Sequence, residues 1–242
     1  MHARDFLGRK KAGKGSRKGA EALGESSPVP LYLLGISRCR DVPRLPGDLV
    51  RWVTAGDLAA AVSGPQPSPP EPAAHASTLA AIHRHIGVLP LRFGVAAADD
   101  DGVRTLLQKR RGELASALDR LEGTCEMGLR IWLPHRPAPQ AEPVATAISA
   151  FEYLALRRAQ YAWADEQGSQ VESVIERYVA LAGDLCRDWC RLACPSPGLV
   201  RLALLVERQR VDALRKRLDT APKPRQVDRC LVLGPWPPYS FV

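Results

Sequence analysis

The fold turns on VESVIERYVALAGDLCRDWCRLAC, residues 171–194. Val171, Val174, Ile175, Tyr178, Leu181, Ala182, Leu185, Trp189 and Leu192 recur at three- and four-residue steps. That spacing predicts an amphipathic helix with a broad apolar stripe. No proline interrupts the chain between Pro143 and Pro195, so one unbroken helix would run roughly 75 Å at about 1.5 Å per residue. A bend near DEQGSQ (165–170) is expected instead, making two helices. Cys186, Cys190 and Cys194 then stand in a line along one helix. A line of three thiols cannot surround an ion, and packing is the ordinary role of such cysteines.

Strands are expected on both sides of this helical crossover. TCEMGLRIWLP (124–134) precedes it; LVRLALLVER (199–208), a short helix RVDALRKRLDT (210–220) and a last strand DRCLVLGPWPP (228–238) follow. Strand, long helical crossover, strand, helix and strand together suggest a split α/β sandwich of the ferredoxin-like kind. The first half reads as a second α+β unit. PLYLLGIS (30–37) is a strand, and LVRWVTAGDLAAAVSG (49–64) gives one or two more around a Gly56–Asp57 turn. GPQPSPPEP (64–72) holds five prolines and is a loop. AAHASTLAAIHRHIG (73–87) reads as a helix, VLPLRFGVAAA (88–98) as a strand, and DDDGVRTLLQKRRGELASALDRLEG (99–123) as one helix opened by acids and closed by Gly123. The expected fold class is α+β in two domains, residues 29–123 and 124–242. The C-terminal domain is expected to be a modified ferredoxin-like sandwich with a long helical crossover.

The chain has 242 residues, 45% hydrophobic and 25% charged, as in globular proteins. No run approaches the roughly 20 apolar residues of a membrane span. The net charge of +8 is half contributed by residues 1–27. Residues 1–28, rich in Gly, Ser and Lys, are expected to be a disordered basic tail. They lack the aromatics that would stack on bases, and the nearly balanced body carries no nucleic-acid signature. The six cysteines include no CxxC pair and no secretory signal precedes them, so free thiols in a reducing compartment are expected.

No catalytic constellation stands out. His83 and His85 point to different helix faces, and neither they nor His75 have further metal ligands nearby. DDDG (99–102) suits a helix start and lacks the rest of a calcium loop. There is no phosphate-binding glycine loop and no nucleophile elbow. The expectation is a cytoplasmic protein without catalysis, cofactor or metal.

Both ends of the folded chain carry rarer strings. YLLGIS (32–37), GDLAAAVS (56–63), a histidine at 75, VLPLRFG (88–94), EMGLRIW (126–132), LALLVER (202–208) and the closing GPWPPYSFV (234–242) follow one another in this order. This order resembles the GvpL/GvpF family of gas vesicle proteins, from about Leu31 to Val242. The family usually has an aromatic where this chain has Leu34. The resemblance implies an accessory or minor structural protein of the gas vesicle, without known catalytic activity. It would bind the hydrophobic shell protein and other accessory proteins and assist nucleation and assembly. Candidate partner-binding residues are Leu91, Arg92 and Phe93 in VLPLRFG and Trp236, Tyr239 and Phe241 in the tail. On a strand, Arg92 would point away from its two neighbours. The alternative is a small-molecule-binding or enzymatic protein on the same fold, since a fold alone does not give a function.

Overall fold

A computed structural model describes residues 29–42, 50–64, 68–134, 137–140, 149–194 and 196–242. The basic segment 1–28 and the expectation attached to it lie outside the described residues.

The N-terminal half folds around β1 (Leu31–Arg38), β2 (Arg51–Ala55) and β3 (Leu58–Val62). The turn between β2 and β3 has Gly56 at φ 62°, where a side chain would be strained. Every residue of β3 is buried, because both sheet faces are covered. Helix α1 (Pro72–His85) opens with proline in its first turn and packs Leu79 and Ile82 against Leu34 and Ala61 on one face. The expected strand 88–98 is instead two short pieces, β4 (Leu89–Pro90) and β5 (Ala96–Ala97), both paired with β1. Pro90 has no N–H to donate, and Gly94 turns the chain at φ 86°. Sheet order is β2-β3-β1-β4, antiparallel throughout. On the other face lie α2 (Asp100–Lys109) and α3 (Arg111–Leu121). The expected single helix breaks at Arg110, whose φ −109° and ψ 16° leave the helical region.

The C-terminal half contains β6 (Thr124–Trp132), α4 (Ala150–Ala182), β7 (Cys186–Leu192), β8 (Leu199–Glu207), α5 (Val211–Thr220) and β9 (Arg229–Trp236). Two expectations fail here. The helix does not bend near 165–170 but runs unbroken for 33 residues from a Ser149–Glu152 capping box. It stops at Gly183, with φ 46°, and not at Cys194. Cys186–Leu192 is therefore a strand, hydrogen-bonded along β8. Its cysteines do not form a helical line. A bulge between Cys186 and Asp188 turns Cys186 toward the α4 side while Cys190 packs on the other.

The second sheet has order β7-β8-β6-β9, again antiparallel between neighbours. Met127, Leu129, Leu202 and Leu204 bury one face beneath Val174, Ile175 and Tyr178 of α4 and Leu214 of α5. Ala203 and Leu205, on the opposite face, join Leu114, Leu118 and Leu121 of α3 and the core of the first sheet. The layers thus run α1, first sheet, α2 and α3, second sheet, α4 and α5. Each fully buried leucine in this stack contributes about 2 kcal/mol.

Candidate functional site

The second sheet carries one buried carboxylate. Glu126 sits between Cys125 and Met127 on β6 and is only 6% exposed. Alternation turns it away from α4 and α5, toward the chain's end. The backbone N–H of Ser240 donates to its carboxylate at 2.7 Å and the Ser240 hydroxyl at 2.9 Å. Burial pushes its pKa above the ordinary glutamate value, and the two donors oppose that rise.

The rest of the tail is built around this anchor. Gly234 takes φ 103°, and an added Cβ would come within 2.7 Å of the Glu126 carbonyl oxygen. The Trp236 ring lies over Gly128, where a Cβ would meet it at 2.9 Å. Pro237 and Pro238 are buried. Arg120 on α3 donates to the Phe241 carbonyl at 2.6 Å, and the Phe241 ring enters the core between the two sheets. Trp236 and Tyr239 remain 39% and 42% exposed. Partial burial, followed by the negative charge of Glu126, raises the Tyr239 hydroxyl's pKa.

VLPLRFG forms a separate feature. The Leu91 N–H donates to Leu34 O at 3.0 Å, and His75 Nε2 lies 3.3 Å from Leu91 O. The Phe93 ring meets His75 edge-on at 5.7 Å and is 45% exposed. Residues 91–94 are not a strand, so the alternating placement expected for Arg92 does not hold. Arg92 is exposed and forms no ion pair among the described residues. The structure thus gathers Trp236, Tyr239 and Phe241 around Glu126. It brings Leu91 and Phe241 into one apolar cluster and leaves Arg92 and Phe93 on a loop held by His75.

The remaining polar motifs have structural roles. Asp99 caps α2 through Gly102 N–H at 2.8 Å, while Asp100 pairs with Arg51 and Asp101 with Arg104. His83 is buried, with Nδ1 2.8 Å from an Arg208 guanidinium nitrogen that also donates to Ile86 O. Burial, aided by Arg208, lowers its pKa to about 4. Among the described residues no group of three or more His, Cys, Asp or Glu could hold a metal ion. A hollow of about 490 Å³ is lined by Arg38, Cys39, Arg40, Asp57 and Asp119. Arg38 pairs there with both acids, so its charge is already engaged. Reading the sequence missed Glu126 and Arg208. The available signal was a lone glutamate inside an apolar strand, which rarely occurs without a partner.

A profile described as "Gas vesicle synthesis protein GvpL/GvpF" matches residues 30–242. The chain belongs to the GvpL/GvpF family. Gas vesicle protein L of Streptomyces sp. (strain CB03234) is 32% identical over 180 residues, covering 69% of this chain and 67% of that protein. Gas vesicle protein F of the same strain is 30% identical over 244 residues, 87% of this chain and 98% of that protein. The crystal structure of the gas vesicle protein GvpF from Anabaena sp. PCC7120 superposes with TM-score 0.69 at 19% identity, covering 88% of this chain and 95% of that one. GvpF from Microcystis aeruginosa gives TM-score 0.69 at 15% identity, covering 88% and 98%. At these identities the two crystal structures speak to fold alone. As a GvpL/GvpF member the chain has a gas vesicle accessory role. Among its described residues no helix is long and apolar enough to cross a membrane.

Proposed function

We propose that this GvpL/GvpF chain binds the small hydrophobic shell protein of the gas vesicle and assists nucleation and assembly. It works in the cytoplasm, on the growing vesicle and with other accessory proteins. A shell subunit with an apolar face is an aggregation hazard before it enters the wall. A helper that covers this face with exchangeable contacts removes the hazard. The observation that carries the reading is the anchored tail. Glu126, Arg120 and the buried Phe241 hold it to the body, yet Trp236 and Tyr239 stay exposed. Rigid, half-exposed aromatics give apolar contact at low entropic cost. Phe93 is a second such ring.

We also read residues 29–123 and 124–242 as two domains. The order β6-α4-β7-β8-α5-β9 with sheet order β7-β8-β6-β9 supports a ferredoxin-like architecture for the second.

The test is co-expression with the shell protein of the same genome, scoring how much shell protein stays soluble and is pulled down. The parent chain is expected to retain it, and Phe93→Ala with Tyr239→Ala to lose most of it. A chain truncated after Leu233 serves as comparison, with circular dichroism checking that it folds. A parent chain that retains no shell protein overturns the proposal.

A further inference from the structure

Among the described residues, the face of the second sheet that carries Glu126 is covered at one end only. There α3 and the tail lie over Ala203, Leu205 and Glu126. Toward the other end the register places Arg130 of β6 directly opposite Arg201 of β8 and Leu231 of β9. One step on, Arg229 faces Trp132; one step back, Leu233 faces Gly128, beside the Trp236 ring. Like charges directly opposite on a sheet repel. Yet Arg130, Arg201 and Arg229 form no ion pair among the described residues. Arg201 donates only to Ala193 O at 3.3 Å, and Arg229 stacks 5.2 Å from the Trp132 ring centre. Arg130, Arg229 and Trp236 are exposed, and Leu231 and Leu233 are half-buried. Beside it, a hollow of about 410 Å³ at the ends of β7 and β8 is lined by Leu192, Leu199 and Arg201 together with Arg191, which pairs with Glu172 of α4.

Three arginines without a carboxylate partner among the described residues, set among leucines and two tryptophans, make a surface complementary to acidic and apolar groups in alternation. Arginine is the residue best suited to such a site, since it is weakly hydrated and binds carboxylates with two parallel hydrogen bonds. We propose that this strip docks an acidic, partly apolar segment of a partner protein. Its carboxylates meet Arg130, Arg201 and Arg229, and its apolar side chains lie on Leu231, Leu233 and Trp236. On β9 the side chains of Arg229, Leu231 and Leu233 follow one another at every second residue. That repeat matches an extended segment laid along the strand. The surface goes beyond the shell-protein reading, and its test contains no shell protein.

The experiment uses the full chain and a short fluorescein-labelled peptide alternating glutamate with leucine, read by anisotropy. Binding is expected, weakening as salt rises from roughly 0.05 to 0.3 M. Arg130→Glu with Arg229→Glu should weaken it about tenfold or more. The same double variant should take up the lysine–leucine counterpart, which the parent does not; a misfolded variant could not gain this preference. Arg158→Glu, on the exposed side of α4, should change nothing. The proposal fails if the parent does not bind the glutamate peptide or if the double variant binds it unchanged. It also fails if an oligothymidylate of equal charge binds the parent more tightly, since the arginines would then serve phosphates.

Discussion

The Glu126 carboxylate accepts two hydrogen bonds from Ser240, 114 residues away in the chain. A segment without charged side chains, carrying three aromatic rings, is thereby tied to an interior strand of a sheet. Burial of the acid and order in the tail depend on each other: without Ser240 the carboxylate would be an unsatisfied buried charge, and without Glu126 the last turn would lack its anchor.

Glu126→Ala is expected to lower unfolding stability by about 2 kcal/mol in urea titration, since hydrogen bonds to a charged group are lost. Glu126→Gln, which keeps an acceptor, should cost less. The raised pKa adds a pH signature. Between 4.5 and the raised value the native state binds more protons than the unfolded chain, so stability from this group declines as pH rises through that window. The deficit of Glu126→Gln against the parent should therefore shrink from acid toward neutral pH.

His83 gives the opposite sign. Its pKa falls from 6.5 to about 4 on folding, so the unfolded chain binds the extra proton between those values. Stability from this group is complete above about 6.5 and is lost as pH falls toward 4. The loss should amount to roughly 3 kcal/mol. His83→Asn, which retains an acceptor for Arg208, should flatten the pH profile of the urea midpoint over that window.

Two glycines in the α4 region should respond in opposite directions. Gly168 lies in the middle of the helix with nothing within 4 Å of an added Cβ; Gly168→Ala should stabilise by about 1 kcal/mol. Gly183 ends the helix at φ 46°; Gly183→Ala should destabilise by about 1 kcal/mol. Thermal melts of the two variants check both. A neutral or destabilising Gly168→Ala would argue for a bend at 165–170.

Gly128→Ala should lift the Trp236 ring, because the new methyl would sit 2.9 Å from it. A loss of about 1–3 kcal/mol is expected, with tryptophan fluorescence shifted to the red. Adding Trp236→Ala should relieve part of the loss, since the two side chains occupy one space.

The hairpin of β2 and β3 could be read directly, because Gly56–Asp57 lies between two apolar runs. The stop of α3 at Gly123 was equally local. Cys186–Leu192 was misread because Leu185, Trp189 and Leu192 continue the helical spacing of α4 across the break. The contrary signal was Gly183, a residue typical just past a helix end.

The tail shows the same division. Its rings, its prolines and its lack of charge are properties of GPWPPYSFV alone, and they already mark it as a segment that something must cover. Which parts are covered depends on groups far away in sequence: Gly128 makes room for Trp236, Arg120 binds the Phe241 carbonyl, and Glu126 meets Ser240. Local patterning sets helix, turn and apolar face because these follow from neighbouring residues. The Glu126 lock, the strand identity of Cys186–Leu192 and the pairing of Arg130 with Arg201 come only from sheet register, which joins residues by space and not by spacing.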